Sequence, residues 1–371
     1  MSVSDILERR RPERIVYAPN YWQWFAHHRN HGLLPPEVAY CLDQLELIQE
    51  LGLDVFSRNI YCDEQRGWWG GLSDVAWNGR EREWFEGRDR VIERTFGRLT
   101  ERLRYVFQAS TLVQEKHAVD DYANQLDDLE ALLVARRWRF MPERYAALQG
   151  RVGNRGVAVA GELHSPLKML HVLLGPKDTT YCLMDFPERM AELLALHEAA
   201  QLDLVRQMAQ AGVRVMMSMD NLDTAFHPPH YVERYSASFY EKASRICHEH
   251  GSLFFIHACG HQRDNLPLIA SLGVDGLEGV AFPTLGDVEL DEAMRLSGDR
   301  LIITGGISAQ EFERLQTRKE VFAYVKELFG RMRPYAHRFM LSASCNTPYT
   351  APWQTLVWFR DAWREYAEAS K

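Results

Sequence analysis

The stretch at 254–262, FFIHACGHQ, places a histidine and a cysteine two positions apart, directly after an apolar run. On a β-strand His257 and Cys259 would point to the same side, because side chains alternate between the two faces. In a helix, His257 would pair with His261 instead and Cys259 would turn away. The apolar run at 253–256 and Gly251 before it favour the strand. On a strand, His257 and Cys259 would therefore face one point, as two ligands of one metal ion do.

Further ligands must come from elsewhere in the chain, because a zinc site needs three or four protein ligands. Cys345 follows the apolar segment RFMLSAS, and Glu278 ends VDGLE. One histidine and two cysteines, completed by Glu278 or a water, form a borderline-soft set that suits Zn²⁺. The alternative is that the cysteines are small apolar core residues and that His257 bonds a backbone carbonyl. The spacing alone does not decide between the two.

From about residue 150 the chain alternates between apolar strands and amphipathic helices. GVAVAGE, VRVMMSMD, SLFFIHACG and DRLIITGGI are strand-like, and PERMAELLALHEAAQLDLVRQMAQAG has helical periodicity. This alternation predicts parallel strands that are covered on both faces. A doubly wound open sheet is the alternative, although no G-x-G-x-x-G follows a strand.

We therefore predict an α/β fold, a (β/α)₈ TIM barrel with an N-terminal helical and loop extension. It forms a single domain over residues 1–371. Residues 1–150 hold a tryptophan-rich extension and the first barrel units, and residues 151–371 hold the barrel units that carry the zinc site.

Polar residues at the predicted strand ends are the candidate site residues, because TIM barrels carry their active sites at the carboxyl ends of the strands. Polar groups after apolar strands also need a partner or a ligand. Glu162 and Asp220 are equally predicted to be structural partners of an arginine or of a helix terminus. The candidates are Glu162, His164, Asp220, Asn221, His257, Cys259, Glu278, Cys345 and Asn346.

The composition is that of a globular protein, with 46% hydrophobic and 25% charged residues. A net charge of −8 argues against nonspecific nucleic-acid binding. The N-terminus lacks the apolar core of a secretory signal. The sequence contains no run of about eighteen apolar residues, so no membrane span is predicted. The six cysteines, Cys62 among them, are scattered and predict reduced thiols in the cytoplasm.

Seven of the ten tryptophans precede residue 139, at positions 22, 24, 68, 69, 77, 84 and 138. Packed covering loops with a small hairpin are the favoured interpretation, since aromatic side chains supply much of any core. The alternative is an aromatic wall above a binding pocket.

The stretch from about 155 to 366 resembles the uroporphyrinogen decarboxylase superfamily, and specifically its zinc-dependent corrinoid methyltransferase branch. The resemblance is carried by VAGELHSPLKMLHVLLGP, DNLDTAFHPPHYVERY, HACG, LIITGGI and LSASCNTPYTAPWQTL. It implies that His257, Cys259 and Cys345 hold zinc. The similar zinc site of cobalamin-independent methionine synthase adds a glutamate, and Glu278 falls near that position.

The resemblance implies a zinc-dependent enzyme that moves a methyl group between a small substrate and a corrinoid. The substrate would be a thiol or a methylated or methoxylated compound, and a separate partner protein would supply the corrinoid. Glu278 and Asp220 are then the predicted catalytic residues, and Glu162, His164, Asn221 and Asn346 are predicted to face the substrate. The substrate's identity and the direction of transfer stay open, as does assembly into a homo-oligomer.

Two other activities remain as alternatives on the same barrel. A zinc lyase or hydrolase would use Glu278 or Asp220 as its general base. A decarboxylase-like protein without methyl transfer is disfavoured, because IVYAPNYWQWFAHHRN lacks the decarboxylase's N-terminal arginine motif.

Overall fold

The computed structural model describes residues 2–56, 58 and 71–368. Trp68, Trp69 and Cys62 lie outside the described residues. The strands are β1 (Val16–Tyr17), β2 (Ser73–Ala76), β3 (Arg80–Glu86), β4 (Asp89–Phe96), β5 (Leu99–Val106), β6 (Thr111–Lys116), β7 (Arg137–Phe140), β8 (Val159–Leu163), β9 (Val215–Ser218), β10 (Leu253–His257), β11 (Gly276–Val280), β12 (Ile302–Ile307) and β13 (Phe339–Ala343).

The helices alternate with the later strands. They are α1 (Ser2–Leu7), α2 (Trp22–His31), α3 (Gln44–Glu50), α4 (Tyr122–Ala135), α5 (Pro142–Val152), α6 (Pro166–Leu174), α7 (Pro176–Asp185), α8 (Pro187–Gln210), α9 (Pro229–Tyr235), α10 (Ala237–Glu249), α11 (Leu266–Ser271), α12 (Leu290–Leu296), α13 (Glu311–Arg314), α14 (Arg318–Met332) and α15 (Trp353–Tyr366). None of those in the described part of the chain is both long and apolar enough to cross a membrane.

Seven strands form one parallel sheet in the order β1-β13-β12-β11-β10-β9-β8. The short segment 53–56 fills the gap between the two edge strands. The N–H of Asp54 donates to the carbonyl of Tyr17 on β1 at 3.0 Å, and the N–H of Val157 donates to the carbonyl of Val55 at 3.0 Å. Segment 53–56, which follows β1 along the chain, supplies the eighth strand position and closes the barrel. This confirms the predicted barrel fold.

The barrel strands are buried on both faces, as their apolar sequences predict. Every described residue of β9, β11, β12 and β13 is buried. The surrounding helices turn one apolar face to this sheet, and α14 begins with a capping box between Thr317 and Glu320. The carboxyl ends of the strands therefore meet at one mouth of a rigid barrel.

An insertion between segment 53–56 and β8 carries an antiparallel sheet in the order β3-β4-β5-β6. It also carries a two-stranded sheet that pairs β2 with β7. We expect covering loops and a small hairpin here, so the sheet is larger than the sequence predicts. Its strands are rich in arginine and glutamate that pair across strands, as Arg102 does with Glu93 at 2.8 Å. This charge pattern conceals the apolar alternation by which a strand is usually recognised.

The antiparallel sheet of the insertion bonds barrel helices on two of its sides. On one side Asn30 of α2 donates to the hydroxyl of Tyr105 at 2.8 Å and to that of Ser110 at 3.1 Å. On the other, Gln114 of β6 donates to the carbonyl of Val172 in α6 at 2.8 Å. The antiparallel sheet thus links α2, which follows β1, with α6, which follows β8.

Candidate metal centre

Three predicted metal ligands come together at the barrel mouth. His257 ends β10, Cys259 lies two residues further, and Cys345 lies two residues beyond β13. One ligand atom from each of the three lies within 4.8 Å of the others. The Nε2 of His257 is 3.9 Å from the Sγ of Cys345. The closed barrel brings these strand ends together although β12 and β11 separate β13 from β10 in the sheet.

Two glycines allow the chain to pack this closely. Gly260 follows Cys259 with φ of 86°, and a Cβ there would lie 1.7 Å from a carboxylate oxygen of Asp223. Gly279 has φ of 97°, and a Cβ there would lie 2.9 Å from the imidazole of His257. Both backbones are left-handed, a conformation that favours glycine. Larger residues at either position would displace the loop or the ring that forms the site.

Glu278 lies on the far side of the His257 ring. Its Oε2 is 2.5 Å from the Nδ1 of His257, and its Oε1 accepts a hydrogen bond from Arg58 at 2.5 Å. Glu278, which we predict as a fourth ligand, is therefore placed behind His257 and not among the three gathered ligand atoms. A carboxylate at Nδ1 holds the proton there and leaves the lone pair of Nε2 facing the cysteines.

Arg58 joins the two halves of the centre. It is buried with its partner, since the side chains of Arg58 and Glu278 are 4% and 2% exposed. Its Nη2 also approaches the sulfur of Cys345 at 3.5 Å and the amide oxygen of Asn346 at 3.2 Å. Burial alone would lower the pKa of Arg58, but the negative charges of Glu278 and Cys345 raise it overall. Arg58 is thus a fixed cation between β11 and the segment after β13.

The two thiols shift each other's pKa in opposite directions. The hydrogen bond with Cys259 holds the pKa of Cys345 well below its usual range, and the charge of Arg58 adds to this effect. The same hydrogen bond, together with burial, raises the pKa of Cys259. Burial and the charge of Arg58 oppose protonation of His257, yet Glu278 raises its pKa overall. The hydrogen bond between the two thiols therefore favours the thiolate at Cys345 and the thiol at Cys259.

This donor set fits a divalent, borderline-soft ion such as Zn²⁺. Its two sulfurs and one imidazole nitrogen are ligands of the kind found in zinc sites. With both thiols deprotonated, Cys259, Cys345 and Glu278 carry three negative charges, and Arg58 supplies one positive charge. A divalent cation would bring the buried group to neutrality, which is the condition for burying charges at low energy. The residues present therefore fit the metal that the sequence predicts.

Asn346 is bound into the same network. Its Oδ1 accepts hydrogen bonds from Asn20 at 3.0 Å, from Trp22 at 2.5 Å and from Arg58 at 3.2 Å. Asn20 also donates to the carbonyl of Cys345 at 3.2 Å. The amide oxygen that we predict to face the substrate is thus occupied by protein donors, which fix the loop that carries Cys345.

Asp220 is fully buried after β9 and is surrounded by donors. Its carboxylate accepts from the N–H of Ser165 at 2.9 Å, the hydroxyl of Ser218 at 3.1 Å and the hydroxyl of Tyr240 at 2.5 Å. Burial raises its pKa. Ser165 is the N-cap of α6, so these contacts match the alternative in which Asp220 supports a helix terminus.

The remaining candidates lie around the mouth without joining the three ligands. Glu162 accepts from the N–H of Leu72 at 2.7 Å and so ties the insertion to β8. The backbone N–H of His164 donates to Gln201 at 3.0 Å. Asn221 is exposed and has a left-handed backbone with φ of 48°.

Three buried histidines make the stability depend on pH. Burial lowers the pKa of His164 and His197 to about 3 and that of His171 to about 4. Each would bind a proton near pH 6.5 in the unfolded chain. The unfolded state therefore binds more protons below pH 6.5, and the free energy of unfolding falls as the pH is lowered. We expect a loss of about 1 kcal/mol per histidine per pH unit between about pH 6 and pH 4.

Chemical denaturation at several pH values measures this loss. Replacing the exposed His230 by alanine should leave the pH dependence unchanged, whereas His197→Gln should make it shallower. Equal stability of the wild-type protein at pH 7 and pH 5 would contradict the assignment.

Arg58, Asn20 and Trp22 are site residues that the sequence analysis does not select. Arg58 has a weak signal, because it follows the short apolar segment GLDVF after a helix. That stretch contains segment 53–56, which closes the barrel, and it is too short to stand out from the surrounding loops. Asn20 and Trp22 follow β1, which has only two residues.

Comparison with known proteins agrees with the barrel fold. Over its full length the fold is similar to that of a methyltransferase from Methanosarcina mazei, with a TM-score of 0.61 and 15% identity over 98% of this chain and 97% of that chain. A D-psicose 3-epimerase from Clostridium cellulolyticum H10, solved with D-tagatose, aligns with a TM-score of 0.38 and 10% identity over 62% of this chain and 85% of that chain, too weakly to carry an argument. A search of curated proteins gave no match.

The sequence model for uroporphyrinogen decarboxylase (URO-D) matches residues 110–366, well over half of the chain. This stretch includes β8 to β13 and all three gathered ligands. The chain belongs to the uroporphyrinogen decarboxylase family.

Proposed function

We propose that this protein is a zinc-dependent methyltransferase that moves a methyl group between a small substrate and a corrinoid held by a partner protein. The substrate is a thiol or a methylated or methoxylated compound. The observation that carries the proposal is the group of His257, Cys259 and Cys345 at the mouth of a barrel of this family. The full-length likeness to a methyltransferase supports it.

Zinc would be held by Nε2 of His257 and the sulfurs of Cys259 and Cys345. When bound, it supplies Lewis acidity, which keeps a thiol deprotonated or withdraws charge from a substrate oxygen. The Nδ1–H of His257 would donate to Glu278, which leaves Nε2 as the nitrogen that would hold the metal. Both thiols would lose their protons on binding zinc, and Arg58 would offset part of the resulting negative charge.

The contacts argue against the other two activities. A hydrolase needs a general base that is free to accept a proton from water. The carboxylates of Glu278 and Asp220 are instead engaged by Arg58, His257, Ser165, Ser218 and Tyr240. Arg58, a buried cation at the mouth, binds Glu278 and is not free to hold the carboxylates of a decarboxylase substrate.

The proposal is tested with free methylcobalamin as the methyl donor and a simple thiol as the acceptor. Transfer forms a C–S bond and breaks the Co–C bond, giving thioether, cob(I)alamin and a proton. We expect the zinc-loaded protein to accelerate the absorbance change of the corrinoid, and Cys345→Ala to lose the acceleration. Transfer in the opposite direction is measured with cob(I)alamin and methoxylated aromatic compounds, where the methyl C–O bond breaks, the Co–C bond forms and one proton is taken up to give a phenol. The proposal would be contradicted if the zinc-loaded protein accelerated neither of the two reactions.

A further inference from the structure

A cavity of about 180 Å³ lies within the insertion, between the two-stranded sheet and the antiparallel sheet. The described residues that line it belong to this insertion and include none of the metal-centre residues. A protein cavity of about 150 Å³ can hold benzene. This cavity is therefore large enough for one six-membered ring with a small substituent.

Two indole side chains form walls of the cavity. Trp138 lies on β7, where it is 9% exposed and pairs across the sheet with Val75 of β2. Trp77 follows β2 and also lines the cavity. Indole rings bind flat rings through dispersion and through their quadrupoles. The walls therefore suit a planar aromatic ligand.

Arg94 presents a guanidinium group at the cavity. It lies in register between Glu81 of β3 and Glu101 of β5. Its Nε donates to Glu81 at 2.7 Å, and its Nη1 donates to Glu101 at 3.4 Å. Within the described residues, no acceptor bonds its Nη2. A guanidinium edge of this kind is a good donor to a carboxylate.

Arg136 brings a second guanidinium group to the cavity, and its residue is 9% exposed. It interacts electrostatically with both Glu101 and Arg94. The other two acidic residues of the lining are less buried, since the side chains of Glu81 and Asp74 are 47% and 43% exposed. Glu81 also bonds Arg94, and Asp74 pairs with two arginines outside the lining. With those two arginines included, four guanidinium groups lie against three carboxylates, an arrangement that favours an anion.

We propose that this cavity is a second ligand site, which binds a small aromatic carboxylate. The ring lies between Trp77 and Trp138, and the carboxylate is bound by Arg94 and Arg136. This site goes beyond the proposed methyl transfer and does not depend on it.

Calorimetric titration of the full chain with three probes of one shape tests the proposal. Benzoate, benzamide and benzamidine carry a negative charge, no charge and a positive charge. We expect benzoate to bind with a dissociation constant of about 1 mM or tighter, which is reasonable for so small a ligand. Benzamide should bind about 10-fold to 100-fold more weakly, because it lacks charge-assisted hydrogen bonds. Benzamidine should bind no better than benzamide.

Two variants locate the binding site by different means. Arg94→Gln removes the donor and should weaken benzoate binding at least about 10-fold. Val75→Phe fills the cavity without changing a charge and should abolish binding of all three probes. Arg90→Gln is the matched control, since Arg90 lies on the same strand but pairs with Glu83 and does not line the cavity. It should bind benzoate as the wild-type protein does, and so should Cys345→Ala.

Three results would overturn the proposal. One is no benzoate binding at about 10 mM. Another is tighter binding of benzamidine than of benzoate, which would show that the site prefers a cationic ligand. The third is benzoate binding that is unchanged in both Arg94→Gln and Val75→Phe, which would place the site elsewhere. None of these results depends on whether the protein transfers methyl groups.

Discussion

Replacing Cys345 with alanine is expected to remove bound zinc and methyl transfer together, because it deletes one of three ligands and the thiolate partner of Cys259. We expect zinc to fall from about one per chain to a small fraction of that value. Elemental analysis of protein purified without added zinc measures the content. Cys41→Ala is the matched control, since Cys41 is a buried free cysteine of the barrel's main core and should not affect the metal.

The fold of the variant is checked separately, by comparing its circular dichroism and its denaturation curve with those of the metal-free wild-type protein. If folded Cys345→Ala retained about one zinc per chain, the three-ligand site would be wrong.

Replacing Arg58 with methionine is expected to lower both stability and metal affinity. Without Arg58, the carboxylate of Glu278 stays buried with only His257 as its partner. Removing one member of a buried ion pair costs about 3 to 5 kcal/mol. Disturbing the carboxylate that orients a metal-binding histidine lowers metal affinity about 10-fold to 100-fold. Denaturation of the metal-free protein and zinc competition with a chelator measure the two effects.

The double variant Arg58→Met with Glu278→Gln separates charge from packing. It should recover part of the stability, because no unpaired charge remains, but it should not recover the metal affinity. Arg314→Met is the surface control, since Arg314 pairs with Glu311 while its side chain is 62% exposed. Its stability should change by less than about 0.5 kcal/mol. A similarly small change for Arg58→Met would show that the buried pair does not hold the site together.

The three gathered ligands could be predicted from the sequence because they obey simple geometry. His257 and Cys259 lie at and just beyond one strand end, and Cys345 lies two residues beyond the end of another strand of the same barrel. Parallel strands end at the same mouth, so these positions converge whatever the connecting loops do. The barrel itself was predictable because its later strands are apolar runs that alternate with helical segments.

The role of Glu278 could not be predicted in the same way. The sequence predicts that it ends a strand, whereas it lies in the middle of β11 in register with His257 of β10. The sequence also does not show which side of the His257 ring the carboxylate meets. That depends on Arg58, which binds the other carboxylate oxygen. Arg58 follows segment 53–56, which forms a single parallel bridge, between Val55 and Gly156 just before β8. So short a segment has too few residues to show a periodic pattern.

The antiparallel sheet of the insertion escaped prediction for a different reason. Its strands are stabilised by pairs such as Arg104 with Glu115 and Arg94 with Glu81, so charged residues stand where alternation of apolar and polar residues would be expected. Only the β5 strand shows that alternation clearly, with every second residue buried from Leu99 to Tyr105. A single alternating strand predicts a hairpin more readily than a four-stranded sheet.

The most direct test of the central claim is the metal content of the wild-type protein, purified without added zinc and reconstituted anaerobically if it is empty. The account predicts about one zinc per chain, together with thiolate-to-metal charge-transfer absorption when cobalt(II) replaces zinc. The absence of metal after anaerobic reconstitution, or a cobalt spectrum without thiolate ligation, would contradict it. His257 and Cys259 would then be ordinary residues at the end of a buried strand.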